Sequence, residues 1–229
     1  MEYLHNGFSL ELCEGAFPLS TDSIALSGFV RLPKQASVLD LGSGCGTLGL
    51  LLCANDPGCT VTGVELDPAA HQTALQNAQA NNITARLNSI CADLCTIPSF
   101  LAPGSFHCCI SNPPYFTAGP LSKAHPTARH EQSCSLDALF AAAAWAIRYG
   151  GDFFLVHKPE RLAELCACAS THKLEPKRLL LLRHRPGDPI SLILMQCRKG
   201  AKPGLLIEEE ALANIHGEPS EYYRRLYHI

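Results

Sequence analysis

Val38-Leu39-Asp40-Leu41-Gly42-Ser43-Gly44-Cys45-Gly46-Thr47 is the stretch on which the fold turns. An apolar run of strand character ends in a carboxylate, a tight turn with three glycines follows, and Thr47 starts a helix reaching to about residue 55. Strand, glycine turn and helix in that order open a parallel α/β sheet, whose ligands bind at the carboxyl ends of its strands.

The pattern repeats outward from this unit. Residues 60–65 are β-branched and read as a second strand, and Pro68 opens a helix through residue 81 at a position that suits proline. Strands are expected at 84–90 and 106–110, and Ser135 can cap a helix running to Tyr149. Gly150-Gly151 should break that helix before a strand at 153–156, followed by a helix at 159–169. Segments 179–182 and 190–195 flank Pro186-Gly187-Asp188-Pro189 and read as a hairpin. On the amino-terminal side, Ser20 or Thr21 caps a helix to about residue 30, with Asp22 in its first turn where the helix dipole favours an anion. The expectation is a Rossmann-like α/β fold: a mostly parallel seven-stranded sheet, helices on both faces, and an antiparallel edge hairpin. Residues 1–36 form an N-terminal segment and helix on the cofactor side, 37–200 the main unit and 201–229 an appendage, all treated as one domain.

Gly44-Cys45-Gly46-Thr47-Leu48-Gly49 fits G-x-G-x-x-G, and Glu65 follows at about 20 residues, as a dinucleotide site requires. A nicotinamide or flavin oxidoreductase is therefore one reading. Asp40 argues against it, because a carboxylate beside a pyrophosphate repels it and beside a cation attracts it. The extra Gly42-Ser43-Gly44 turn also sets the loop further forward than that pattern needs. S-adenosylmethionine carries an ammonium and a sulfonium and no phosphate. Glu65 can accept from both ribose hydroxyls, and Asp93 from an adenine amine, with Leu66 and Leu94 placed to sandwich the ring. Acidic residues at three successive strand ends suit that ligand.

A second signal is Asn112-Pro113-Pro114-Tyr115, directly after the fourth strand. Prolines lack the N–H that a strand ladder needs, so the Asn112 side chain and the carbonyls of Asn112 and Pro113 are pushed out stiffly at the strand end. Acceptors in fixed geometry followed by an aromatic face suit an exocyclic –NH2 on a planar ring.

Composition bounds the reading. The chain has 229 residues, 47% of them hydrophobic, and net charge −3. No apolar run reaches the roughly 20 residues of a membrane span, and the N-terminus shows no secretory pattern, so a cytoplasmic protein is expected. The 12 cysteines contain no Cys-x-x-Cys pair and mostly sit in apolar runs, so they read as reduced core residues and no metal is expected. Charge is uneven: residues 1–147 carry net −6, 148–202 net +6 and 203–229 net −3. Such asymmetry suits a polyanion-binding face. Its candidates are Lys173, Lys177, Arg178, Arg183, Arg185, Arg198 and Lys199, with Lys123 and Arg129 nearer the target.

With these residues in view, the chain resembles a known family. Residues 38–46 look like the first motif of Rossmann-like S-adenosylmethionine-dependent methyltransferases, and Asn112-Pro113-Pro114-Tyr115 like their amino-methylating signature. Residues 17–26, Ala128-Arg129-His130-Glu131 and Lys158-Pro159-Glu160-Arg161-Leu162 are similar to a narrower group, the bacterial tRNA(Val) adenine-N6-methyltransferases. The resemblance covers residues 8 to about 207 and implies methylation of the adenine 3′ of the anticodon. It implies S-adenosylmethionine held by Thr21, Asp40, Gly42, Ser43, Gly44, Glu65, Leu66, Asp93, Leu94 and Asn112. The target base would be held by Asn112, Pro113, Pro114 and Tyr115, in a protein expected to act as a monomer on tRNA. Rivals are a release-factor glutamine methyltransferase, a ribosomal RNA or DNA amino-methyltransferase, and a silent binding module. The release-factor enzymes usually carry a helical domain ahead of the sheet, and only 37 residues precede Val38.

Overall fold

One sheet of eight strands carries the fold, in the order β10-β8-β9-β7-β6-β3-β4-β5. The computed structural model describes residues 1–4, 7–114 and 135–229. β3 (Ser37–Leu41), β4 (Thr60–Glu65), β5 (Leu87–Cys91), β6 (Phe106–Ser111) and β7 (Ile147–His157) run parallel. β9 (Ile190–Lys199) is antiparallel to both β7 and β8 (Leu174–Arg183). The chain leaves β3 toward β4 and β5 on one side and later returns to β6 and β7 on the other. That switch opens a crevice beyond the carboxyl ends of β3 and β6.

The strands alternate between two cores, as a pleat dictates. Val38, Ile110, Phe154 and Leu194 face α1 (Thr21–Phe29) and α2 (Thr47–Asn55). Leu39, Cys109, Phe153 and Met195 face α4 (Leu136–Ala146) and α5 (Leu162–Thr171). Edge-on ring pairs close each layer: Phe29 on Phe154 at 6.2 Å and Phe140 on Phe153 at 5.2 Å. Helix starts follow the capping rules. Ser20 accepts from the Ser23 N–H at the head of α1. Asp67 caps α3 (Pro68–Ala80), with proline in its first turn.

Three expected boundaries move. The third parallel strand begins at Leu87 and not at residue 84, because Asn82 takes a positive φ of 56° and the Leu87 N–H returns to the Ile83 carbonyl. α4 stops at Ala146 and the chain enters β7 at once, where a helix to Tyr149 was expected. The Lys199 ammonium holds the carbonyls of Ala144 and Ile147 at 2.6 and 2.9 Å, closing the helix end from β9. Gly150-Gly151 forms a bulge within the strand; a Cβ on Gly151 would lie 2.6 Å from the His107 carbonyl oxygen.

The carboxyl-terminal piece also departs from the seven-stranded expectation. β10 (Leu206–Ala211) pairs parallel with β8, so the hairpin is not the sheet edge. Charge explains the pairing. Arg178 on β8 meets Glu208 at 3.1 Å, and Arg183 meets Glu209. The segment of net +6 thus receives Glu208 and Glu209 of the tail, while Glu210 pairs with Arg225 of the tail itself at 3.6 Å. α6 (Glu221–Tyr227) then packs on α1, burying Tyr222 and Leu226. A two-residue ladder, β1 (Glu2–Tyr3) with β2 (Ser9–Leu10), lies at the amino terminus.

Candidate active site

The register of the sheet brings the predicted acidic residues to one edge. Asp40 sits level with Ile110 of β6 on one side and Gly63 of β4 on the other. Glu65, two residues beyond Gly63, pairs with Cys91, two residues before Asp93. Asn112 lies two residues beyond Ile110. The Ser111 hydroxyl donates to the Leu41 carbonyl at 2.8 Å, locking the ends of β3 and β6 together.

Asp40 is 1% exposed, and neither carboxylate oxygen has a hydrogen-bond partner among the described residues. Burial, reinforced by the nearby Glu65, pushes its carboxyl up to about 8. The buried Ser43 hydroxyl beside it is likewise without a partner. Gly42 and Gly44 take φ values of 74° and 54°, and a Cβ on either would enter open space. The loop therefore presents bare backbone and two unsatisfied polar side chains.

Glu65 is already engaged. It accepts from the Gly44 N–H at 2.7 Å and the Asp67 N–H at 2.8 Å, which fixes it between the glycine turn and α3. Asp93 caps the 3-10 turn Leu94–Ser99 through the Cys95 N–H at 2.9 Å. Leu66 is 40% exposed and Leu94 half-buried. These residues fit S-adenosylmethionine on their own chemistry. A buried carboxylate with no partner suits a cation, a half-buried carboxylate at the next strand end suits a diol, and an exposed leucine suits a ring face.

Beside this edge, Pro113 is buried and Pro114 exposed. The Asn112 side-chain N–H donates to Ser23 Oγ of α1 at 3.0 Å. Thr21, two residues earlier, shares a hydrogen bond with the Tyr227 hydroxyl at 3.2 Å, so the carboxyl-terminal helix reaches the same end of α1. Tyr115, Lys123 and Arg129 lie outside the described residues, as does Glu131.

Two positions had not been singled out from sequence. Ser23 touches Asn112 from 89 residues away. Asn77 of α3, 1% exposed, donates to the carbonyls of Cys45 and Glu11 at 2.9 Å each, tying the glycine turn to the amino-terminal segment. Ser23 had one local signal: with Ser27 it places small polar residues four apart on the buried side of a helix.

The basic residues divide between two edges of the sheet. Arg183 and the exposed Arg185 follow the carboxyl end of β8, on the same edge as Asn112. Lys173, Lys177, Arg198 and Lys199 lie toward the opposite edge. Arg198 pairs with Asp152 at 2.8 Å, and Lys177 donates to the Lys202 carbonyl at 3.1 Å. Arg178 lies over the Phe29 ring at 4.3 Å as well as against Glu208. No cluster of three His, Cys, Asp or Glu side chains suited to a metal occurs among the described residues, and no disulfide joins any of their eleven cysteines. No helix among them is long and apolar enough to cross a membrane.

Comparison with known proteins matches residues 23–165 to the family described as methyltransferase small domain. A Shewanella halifaxensis protein named tRNA1(Val) (adenine(37)-N6)-methyltransferase is 32% identical, covering 76% of this chain and 71% of its own. A protein of the same name from Pseudoalteromonas translucida is 32% identical over 79% of this chain and 77% of its own. One from Bacteroides fragilis is 27% identical over 93% and 91%. Among solved structures, a predicted O-methyltransferase from Agrobacterium tumefaciens superposes with TM-score 0.76 at 20% identity, over 91% of this chain and 96% of its own. A putative RNA methyltransferase from Pyrococcus horikoshii gives 0.57 at 16% identity, over 77% and 79%. At these identities the structures speak for the fold.

Proposed function

We propose that this chain, which belongs to the methyltransferase small domain family, methylates the exocyclic N6 amine of an adenine in tRNA. Adenine 37 of tRNA1(Val), named for the relatives, is the proposed target. The observation that carries the reading is the junction of β3 and β6. There a buried, unpartnered Asp40 at the end of β3 lies level with Ile110 of β6, two residues before Asn112.

S-adenosylmethionine, when bound, supplies a methyl group activated by its sulfonium. Asp40 would hold its ammonium, with Ser43 and the bare backbone of Gly42 and Gly44 around it. Glu65 would receive the ribose hydroxyls and Asp93 the adenine amine, with Leu66 and Leu94 against the ring. Thr21, at the head of α1 and bonded to Tyr227, would close the same end of the site.

An adenine amine is a weak nucleophile because its lone pair is delocalised into the ring. Asn112 Oδ1 and the Pro113 carbonyl accept its two hydrogens and favour a more tetrahedral nitrogen. Tyr115 supplies a ring on which the base stacks. The nitrogen lone pair forms the new N–C bond as the C–S bond breaks and its electron pair stays on sulfur. The extra proton on nitrogen leaves afterwards to solvent, so no strong base is needed. Positioning accounts for up to roughly 7–11 kcal/mol of such a barrier, and preorganised acceptors for more. An anticodon loop offers unstacked bases at small cost. Arg183 and Arg185, on the same edge, with Lys123 and Arg129, are the proposed phosphate contacts near the target. Lys173, Lys177, Arg178, Arg198 and Lys199 extend that face if the RNA reaches the far edge. The proposed setting is a cytoplasmic monomer.

Labelling total RNA from cells lacking this protein with purified protein and tritiated S-adenosylmethionine tests the reading. Label recovered as N6-methyladenosine in tRNA supports it. Label in ribosomal RNA alone, or none in tRNA, overturns it.

A further inference from the structure

A terminal carboxamide is nearly two-fold about its last torsion, so Asn112 can present either Oδ1 or its NH2 to an incoming group. Only Oδ1 is useful to an amine, because an NH2 turned toward another NH2 sets donor against donor. A fixed neighbour bonded to one branch of the amide anchors the side chain and leaves the other branch for the target.

Such a neighbour stands on α1. Asn112 donates from its side-chain nitrogen to Ser23 Oγ at 3.0 Å. Ser23 is 7% exposed and stands in the first turn of a helix whose Ala25 and Leu26 are fully buried. Ser20 accepts from the Ser23 N–H at 3.4 Å, and Thr21 is tied to Tyr227 at 3.2 Å. The serine oxygen is thus held by a rigid, capped and buttressed helix, not by a loop. With the nitrogen drawn to Ser23, Oδ1 is left on the other branch of the amide.

We infer that Ser23 is a positioning residue for methyl transfer, anchoring the Asn112 carboxamide through its nitrogen at the strand end where Oδ1 can accept a hydrogen from the target amine. The inference rests on the function proposed above. Among the described residues Ser23 makes no hydrogen bond to Asp40, Glu65 or Asp93, the carboxylates proposed to hold the methyl donor, so its loss should act on rate and not on donor binding.

The test measures single-turnover methylation of in-vitro transcribed tRNA1(Val) at saturating donor, beside donor titration and a melting curve. Ser23→Ala should slow transfer by about tenfold, the scale of one lost hydrogen bond, with donor affinity unchanged. Ser23→Thr keeps the hydroxyl and should recover most of the rate. The double variant Ser23→Ala/Asn112→Ala should be no slower than Asn112→Ala alone, since nothing remains to orient. If Ser23→Ala does not fold, Ser23→Cys, of similar size and a weaker acceptor, takes its place. A wild-type rate in Ser23→Ala, additive losses in the double variant, or donor affinity falling in step with rate overturns the inference. The wild-type control separates the two claims. If it methylates this tRNA and Ser23→Ala matches it, only the role of Ser23 fails; if it methylates nothing, the proposed function fails and the inference with it.

Discussion

Asp40 and Arg198 both place a charged group on the central sheet, with opposite outcomes. Arg198, on β9, meets Asp152 through two hydrogen bonds of 2.8 and 3.0 Å. Its neighbours behave alike: Arg178 and Arg183 face glutamates of β10, and Lys199 closes the end of α4. Asp40, on β3, is more deeply buried than any of them and has no partner. The β8–β9–β10 region pairs Arg178, Arg183 and Arg198 with carboxylates of the chain, as a structural element does, although Arg183 Nε and Gln196 Oε1 stay buried there without a partner. The β3–β6 junction leaves acceptors bare in a low-dielectric place, which costs stability and is tolerated where a ligand supplies the missing partner. Sequence charge counts draw attention to the first region; hydrogen-bond accounting draws it to the second.

The sharpest break between the two regions should come from Asn112→Ala. It removes an acceptor that matters most as the amine rehybridises, so transfer should slow by about 2–4 kcal/mol of barrier, roughly 30- to 1000-fold. Donor affinity should hardly change, which single-turnover rates beside a donor titration will show. Tyr115→Ala should cost roughly 1–3 kcal/mol in productive RNA binding, and Tyr115→Phe much less.

Asp40→Asn should separate binding from stability. Donor affinity should fall by one to two orders of magnitude, on the order of the 1.5–3 kcal/mol of a hydrogen bond to a charged group. The melting temperature above neutral pH should hold or rise, because an unpaired buried carboxyl is gone. The sign with pH follows from its raised carboxyl. The stability it contributes is full below the ordinary range near 4 and is lost as pH rises through about 8. Free wild-type protein should therefore lose stability across that window, and Asp40→Asn should lose less. A bound cation favours the ionised form, so donor affinity should climb with pH toward 8, by up to about tenfold per unit. Calorimetry in two buffers of different ionisation enthalpy should register a proton released on binding. No proton release, with flat affinity between pH 6 and 8, would leave Asp40 outside donor binding.

The smallest effects belong to the basic region. Arg185→Glu, on the active-site edge, should weaken tRNA binding several-fold at low salt. Lys177→Glu, toward the opposite edge, should do little. One phosphate contact changes the salt slope by about one. Equal losses from both variants would mean that the RNA spans both edges.

Much of this was legible in the sequence because it is local. Val38 through Thr47 contains a strand, a turn and a helix start in ten consecutive residues, and the structure places β3, the turn and α2 there. Prolines after Asn112 end β6 where their chemistry says they must. What escaped depends on partners far along the chain. α4 ends under Lys199, 52 residues from Ile147. β10 has no alternation of its own and is ordered by arginines about 30 residues upstream. Clustered charge looked like a surface for a polyanion, and part of it proved to be the glue of the sheet's own edge. Asn112 was visible from its prolines, but Ser23, which holds it, lies 89 residues away and announces itself only by small size on a buried helix face.

The β3–β6 junction is proposed to deliver a methyl group to one adenine amine. The most direct test uses purified protein, labelled S-adenosylmethionine and two transcripts: tRNA1(Val), and the same tRNA with guanine in place of adenine 37. Digestion to nucleosides should yield labelled N6-methyladenosine from the first and none from the second. Equal label in both, or label in neither alongside measurable donor binding, would contradict it.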